Sequence, residues 1–421
     1  CGAATKAGRE APCGLTSPLS SRPMRPRAHG SLLPLQARCF HTGVSLLLAS
    51  QCFLGALPGF AEPAALDVEV ESLRAQLAQL SRAAEKGGGV EQPDISSPTV
   101  VQPAAVAPPA SASSALQGLM SLEQVRQLSA LQDMGALPSD EKVALRKVSI
   151  TNSQLKDKGA LKVFKSGQGY AERGADPETQ VFDAGVLRQA EGRFTLLIDE
   201  LAPTFAGGYA NRANVRVALK DYEGAVADYE AALRLSPLAD DAWINWLNRG
   251  STLLAAGQPE RALPDLQRAV ELSKTAAAQG ANQAEKLTLL ARGSALHALG
   301  RYQLAAGDYG ACVTKDPNRV EPFWLRYGLE LYQMGNGQEA LGYIRRVAAK
   351  FDLEPESQLA LYFTTASAGG ERGAAEALRL WNIAPSSVKE AATNVDFAQR
   401  QWPPAAEEKA KEFLAVVTAV Q

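Results

Sequence analysis

From Leu116 onward, apolar residues recur every three to four positions in long runs, the spacing of helices that bury one face. The stretch LQGLMSLEQVRQLSALQDM predicts a helix that breaks at Leu137-Pro138. Ser139 then reads as the N-cap of the next helix, with Asp140 and Glu141 in its first turn. Earlier in the chain the pattern changes twice. Leu66, Val70, Leu73, Leu77 and Leu80 fall at alternating spacings of four and three, which predicts an amphipathic helix of about two heptads over residues 62–86. Two heptads are marginal for a helix standing alone in water, so this one is expected to rest on its own body, a second copy or a partner. Residues 87–114 hold Gly87-Gly88-Gly89 and a Pro/Ala/Ser/Val stretch with no periodicity, which predicts a disordered linker. The apolar run from Gly43 to Leu57 is short of the roughly 20 residues a membrane-spanning helix needs.

Within the helical part the chain repeats itself. Segments 206–239, 243–276, 286–319 and 321–354 align in one register. The eighth position is small (Ala213, Gly250, Gly293, Gly328) and the twentieth is Ala225, Ala262, Ala305 and Ala340. The twenty-fourth is Tyr229, Leu266, Tyr309 and Ile344, and the twenty-seventh is Ala232, Ala269, Cys312 and Val347. Three of the four fourth positions are aromatic (Tyr209, Trp246, Trp324), with Leu289 in the third repeat. Two helices of a hairpin approach closely only where both present small side chains, and a large residue one turn away fills the groove that results. These marks resemble tetratricopeptide repeats, in which 34 residues form two antiparallel helices. The resemblance implies an all-α fold, a solenoid of antiparallel helix pairs.

The domain plan that follows is a leader over 1–61, the amphipathic helix 62–86, the linker 87–114, a helical segment 115–160 and the solenoid 161–421. Phe182, Ala190, Phe194 and Leu197 fit the second half of a degenerate leading repeat. Residues 359–381 read as a weaker fifth one, with Gly370 at its turn and Ala375 at the twentieth position. Extra residues between the second and third repeats (Ala277 to Glu285) either extend a helix or form a loop. Trp402-Pro403-Pro404 stops one helix, and the amphipathic helix after it is expected to cover the last hydrophobic face of the array.

Charge changes the picture of the first 61 residues. Overall the chain has 43 Lys+Arg against 45 Asp+Glu, a formal charge of -2. Lys6, Arg9, Arg22, Arg25, Arg27 and Arg38 face the single acid Glu10 up to Ala61, leaving 37 basic and 44 acidic residues beyond. A cationic leader thus precedes an acidic body, which disfavours nucleic acid as a partner. An acid-poor, Arg- and Ser-bearing start is the composition of an organelle transit peptide. Arg38, the apolar run and small residues at Gly59 and Ala61 are the three parts of a signal-peptidase substrate. Two such signals in series resemble the leaders of plastid proteins bound for the thylakoid lumen, with the mitochondrial intermembrane space as the alternative. Cleavage after Ala61 would leave Cys312 and His297 as the sole cysteine and histidine. One of each makes neither an intramolecular disulfide nor a four-ligand zinc site, so no metal and no cofactor is expected. Cys312 occupies a small apolar repeat position and is expected to be buried.

The resemblance places a concave groove along the first helices of the repeats. It assigns to that groove Asn211, Asn214, Leu247, Asn248, Ser251, Leu290, Ser294, Leu325, Arg326 and Leu329, with His297 at the twelfth position of the third repeat. Such a face, apolar with a few amides and hydroxyls, suits an extended or helical protein segment. Family members that grip a terminal carboxylate use Lys, Asn and Arg; Asn214 and Asn248 match the amide positions. Ala210, Leu287 and Ala291 stand where the cations belong, so that clamp is not expected. Gly167-Gln168-Gly169 does not follow a strand or open a phosphate-binding helix.

The expectation is a non-enzymatic protein-interaction scaffold of an organelle lumen, assisting assembly or maintenance of photosynthetic membrane complexes, with peripheral association to such complexes. Alternatives are a structural protein that oligomerises through residues 62–86 and a mitochondrial intermembrane-space adaptor. The linker 95–114 is also extended and apolar enough to lie in the groove.

Overall fold

The computed structural model describes residues 116–133, 137–175, 182–278 and 283–419. The leader, the heptad helix 62–86 and the linker 87–114 lie outside the described residues. Among those described, every regular element is a helix, and a single antiparallel bridge pairs Ala175 with Phe182.

Six hairpins stack in sequence. Helices α3 (Lys158–Gly174) and α4 (Ala184–Leu196) form the first, α5 (Ala206–Ala218) and α6 (Tyr222–Leu235) the second, α7 (Ala242–Ala255) and α8 (Pro259–Ala278) the third. Then come α9 (Ala284–Ala298) with α10 (Tyr302–Lys315), α11 (Phe323–Gln333) with α12 (Gly337–Lys350), and α13 (Pro355–Ala368) with α14 (Gly370–Ile383). Two helices precede the array, α1 (Leu122–Asp133) and α2 (Ser139–Asn152); α15 (Ser386–Thr393), the single turn α16 (Phe397–Arg400) and α17 (Pro404–Ala419) follow it. No helix among the described residues is long and apolar enough to cross a membrane.

One contact repeats at the heart of the three successive hairpins α7/α8, α9/α10 and α11/α12. A Cβ added at Gly250 would lie 2.7 Å from Leu266, at Gly293 2.8 Å from Tyr309, and at Gly328 2.6 Å from Ile344. These are the eighth and twenty-fourth repeat positions, so the absence of a side chain on the first helix is what admits the large one on the second. The leading hairpin uses the same device: a Cβ on Gly167 would lie 2.8 Å from the ring of Phe194. Gly167 is therefore a helix-packing residue.

The turn inside each repeat is equally regular. The fifteenth position is left-handed in all four, at Lys220 (φ 63°), Gly257 (φ 72°), Gly300 (φ 68°) and Gly335 (φ 85°). The following amide closes a six-residue return to the helix in each case, from Asp221 to Arg216, Gln258 to Leu253, Arg301 to Leu296 and Asn336 to Leu331. That is the Schellman arrangement, which satisfies carbonyls the helix end leaves over.

A third recurrent contact is polar. Arg212 donates from Nε and Nη2 to Asp228 at 2.8 and 2.7 Å, and Arg292 donates likewise to Asp308 at 2.8 and 2.6 Å. Arg249 and Asp265 hold the same positions in the repeat between them. Each arginine also reaches back to the preceding hairpin: Arg212 to Thr195 at 3.2 Å, Arg249 to Glu230 at 3.6 Å and Arg292 to Gln267 at 2.6 Å. One guanidinium thereby joins three successive helices. In the fourth repeat Tyr327 and Tyr343 take the two positions, their ring centroids 4.8 Å apart, and Gly310 makes room for the Tyr327 hydroxyl.

Three boundaries differ from the sequence expectation, at Ser139, at the start of the solenoid and in the last hairpin. Ser139 is the first residue of α2; Pro138 precedes it and no side chain caps that end. The solenoid opens at Lys158, because α3 supplies the first helix of the leading hairpin. Of the extra residues after the third hairpin, Ala277 and Ala278 extend α8, one of the two alternatives, and Ala284 and Glu285 open α9. In the last hairpin Ala375 is exposed, and Gly373 makes the close approach, its added Cβ 2.4 Å from the Thr365 carbonyl. The buried residues of α14 are Gly373, Ala377 and Trp381, so the small and large positions lie two residues away from those the repeat register assigns.

The flanking helices do not simply extend the stack. α1 packs against α6, with Val125 buried among Trp246, Leu266 and Ala269. Arg234 of α6 donates to the carbonyls of Met120, Leu116 and Leu119. α17 lies across the first helices α11 and α13, placing Phe413 against Tyr362 and Trp381.

Candidate functional site

The first helices α5, α7, α9, α11 and α13 form one face of the array. On it, Asn211, Leu247, Asn248, Ser251, Leu290, Leu325 and Leu329 are buried. Asn214, Ser294 and Arg326 are half-buried. Several of the polar ones are engaged within the solenoid. Asn211 donates to the Gly207 carbonyl of its own helix at 2.8 Å. Asn214 accepts the Tyr229 hydroxyl at 2.5 Å, and Ser294 lies 3.3 Å from the Tyr309 hydroxyl. These two pairs join the ninth and twenty-fourth positions, so Asn214 and Ser294 give a buried phenol its partner. Burial is what raises the Tyr309 hydroxyl to about 12.

The chain itself covers both ends of this face. At the amino-terminal end a cleft of about 320 Å³ is lined by Ala210, Asn211 and Ile244 on one side and by Leu155, Leu161 and Phe164 on the other. At the other end a strap, residues 396–405, crosses from α15 to α17. It begins at Asp396, whose carboxylate accepts the Gln399 amide at 3.0 Å, and turns at Gln401, which is left-handed with φ 51°.

Residues of three first helices hold the strap. Arg326 of α11 donates to the Arg400 carbonyl at 3.2 Å. The His297 Nε2 of α9 lies 2.5 Å from the Gln401 carbonyl, and its Nδ1 meets the Glu330 carboxylate. The indole of Trp402 donates to Glu356 Oε1 of α13 at 2.7 Å, while the Arg400 guanidinium meets Glu356 Oε2 at 3.1 Å. Gln333 accepts the Ala405 amide at 2.8 Å. The Trp402 ring packs on Phe363 and Phe397, with centroids 5.7 and 5.1 Å away. Burial raises the Glu356 carboxyl above its ordinary value, against the pull of Arg400 and Arg326 and the Trp402 hydrogen bond.

Of these residues the sequence reading had placed Arg326 and His297 on the face, and it had missed Glu330, Gln333 and Glu356. A signal for Glu330 was present. The tenth position is Val215, Thr252 and Ala295 in the other clear repeats, all buried, so a carboxylate there demands a partner. Nothing comparable marks Glu356, whose role depends on a strap arriving from 44 residues away. Cys312 is buried as expected, packed in the core, and burial lifts its thiol to about 12. Among the described residues there is no group of three or more His, Cys, Asp or Glu that could hold a metal ion.

A tetratricopeptide repeat model matches residues 211–277 and 247–319. Residues 211–319 are tetratricopeptide repeats. The match spans the three hairpins α5/α6, α7/α8 and α9/α10, those whose arginines and aspartates pair. Among solved structures, the crystal structure of YrrB, described as a TPR protein with an unusual peptide-binding site, is similar to this chain at 25% identity. The similarity covers 39% of this chain and 78% of that one, with a TM-score of 0.33. A search of curated proteins gives no match.

Proposed function

We propose that the protein is a protein-interaction scaffold whose first-helix face binds a segment of a partner chain. One observation carries this reading: that face already holds a segment from outside the repeats, with Arg326 and His297 on successive main-chain carbonyls where the single turn α16 ends. Recognition through main-chain carbonyls accepts many sequences, and the aromatic and carboxylate contacts beside them add selectivity. The tetratricopeptide repeats supply the rigid frame, because each Arg–Asp pair ties its hairpin to the one before.

The organelle setting belongs to the same proposal. The basic start, the apolar run Gly43–Leu57 and the small residues Gly59 and Ala61 support import into a plastid lumen, where the scaffold would assist assembly or maintenance of photosynthetic membrane complexes. N-terminal sequencing of the mature protein from fractionated organelles tests it: a start at Glu62 in the lumen supports the setting, and a retained Cys52 contradicts it.

The binding role is tested with a photo-crosslinking residue placed either at Ser294 on the first-helix face or at Leu304, which is exposed on the second helix α10. A partner captured from position 294 and absent from position 304 supports the scaffold. Equal capture from both, or none from 294, contradicts it.

A further inference from the structure

The strap is held by contacts that a separate chain could also make. Three of its anchors, the carbonyls of Arg400 and Gln401 and the amide of Ala405, are main-chain groups, and two others are the Arg400 guanidinium and the Trp402 indole, both on Glu356. Pro403 and Pro404 follow, so the chain leaving the indole is rigid and carries no amide donor until Ala405. The wall on the other side comes from α9, α11 and α13, three helices brought together by the stacking of the repeats. Their residues His297, Glu330 and Glu356 are nearly or fully buried. Glu330 Oε2 is buried with no hydrogen-bond partner, so the strap leaves part of the wall unsatisfied. The strap also carries a local cost at Gln401, a non-glycine residue in the left-handed region.

We propose that the strap is an internal stand-in for a partner segment, and that the first-helix face at α9, α11 and α13 recognises a linear sequence of the form basic, any residue, tryptophan, proline. The proposal rests on the scaffold reading above and narrows its partner. A foreign segment of this form places its carbonyls on Arg326 and His297 and its basic and indole groups on Glu356, and displaces residues 400–405 as it does so. A donor in that segment facing Glu330 Oε2 makes a contact the strap does not. The chain's own strap thereby sets a threshold that weaker segments do not pass.

The test uses the full chain and a fluorescent peptide with the sequence of residues 394–405, NVDFAQRQWPPA. The strap is loosened by Arg400→Ala with Trp402→Phe, which removes both side-chain contacts to Glu356 and leaves His297, Arg326 and Glu356 untouched. The peptide is expected to bind the loosened chain at least tenfold more tightly than the unsubstituted one. A peptide with Ala at both the Arg and Trp positions is expected to bind neither. Equal affinity for the two chains, or no binding to the loosened one, overturns the proposal; so does a loosened chain that light scattering finds dimeric, its wall filled by a second copy's strap.

A measurement on the unsubstituted chain does not depend on the variant folding. The amides of residues 399–402 are expected to exchange with solvent at least tenfold faster than those of Leu359–Thr364 in α13, and equal protection would make the strap a fixed part of the fold. Failure of the scaffold reading would look different, since the peptide would still be captured while the crosslinker at position 294 found no partner.

Discussion

Arg249 and Asp265 meet through one hydrogen bond of 2.6 Å, where the matching pairs of the neighbouring repeats, Arg212 with Asp228 and Arg292 with Asp308, each make two. The second oxygen of Asp265 is taken by Arg126 of α1, whose guanidinium also sits 5.4 Å over the Trp246 ring. Arg249 Nε and Arg126 Nε are both left buried without a partner. Docking of α1 therefore opens a fork that the repeat would otherwise close.

The two residues respond differently to truncation. With Arg126→Ala, Arg249 closes its fork on Asp265, and the loss of stability in urea unfolding is expected to stay within about 1 kcal/mol. Asp265→Ala leaves the buried Arg249 guanidinium without its carboxylate, facing the half-buried Arg126, and is expected to cost about 3–5 kcal/mol. Equal losses would mean that Arg249 does not move to take up the freed oxygen.

Small residues in the repeats divide by what surrounds them. A Cβ on Gly328 would lie 2.6 Å from Ile344, so Gly328→Ala is expected to cost about 1–3 kcal/mol through overpacking. Gly342 lies inside α12 with nothing within 4 Å of the added Cβ. Gly342→Ala is expected to stabilise by about 0.5–1 kcal/mol through helix propensity alone. Thermal unfolding of the two variants separates the cases by opposite signs.

Lys220 holds the left-handed turn position that is glycine in the other three clear repeats. A side chain in that region costs about 1–2 kcal/mol, whereas glycine adopts it freely but is more mobile when unfolded. Lys220→Gly is accordingly expected to raise stability by about 1 kcal/mol, measured by urea unfolding. A loss would show that the Lys220 side chain contributes more than its backbone costs.

The parts of the fold legible in the sequence were those set within one hairpin. Ala or Gly at the eighth position and a large residue sixteen positions later specify a contact between adjacent helices, and the pattern is readable because both partners recur. The Arg–Asp pairs have that same sixteen-residue spacing and were legible in principle, at the seventh and twenty-third positions. Charged residues on a helix ordinarily read as a solvated face, and here each arginine is held against the preceding hairpin, which its own repeat does not show. Least legible were contacts made once. Arg126 reaches Asp265 across 139 residues, and Trp402 reaches Glu356 across 46, with no repeat to echo either. In the last hairpin the buried Ala377 and Trp381 stand four apart, as the twentieth and twenty-fourth positions do elsewhere, but two residues beyond the place that counting from Gly370 at the turn assigns.

Glu356 gives the strap a pH dependence. Burial raises its carboxyl above the ordinary 4.5, so the folded chain holds that proton more tightly than the unfolded one. Its contribution to stability is greatest below pH 4.5 and falls as pH rises through the raised value. Glu356→Gln removes the titration. Melting temperatures from pH 4 to 7 are expected to show the variant gaining on the wild type as pH increases; a constant difference would mean that Glu356 titrates alike in both states.

The claim at the centre of this account is that partners bind the face made by the first helices. Hydrogen–deuterium exchange of the full chain, compared with and without a partner captured by the crosslinker at position 294, tests it most directly. The account predicts new protection in α7, α9 and α11 and loss of protection at residues 399–402 as the strap leaves. Protection confined to the second helices α8, α10 and α12, with the strap undisturbed, would contradict it.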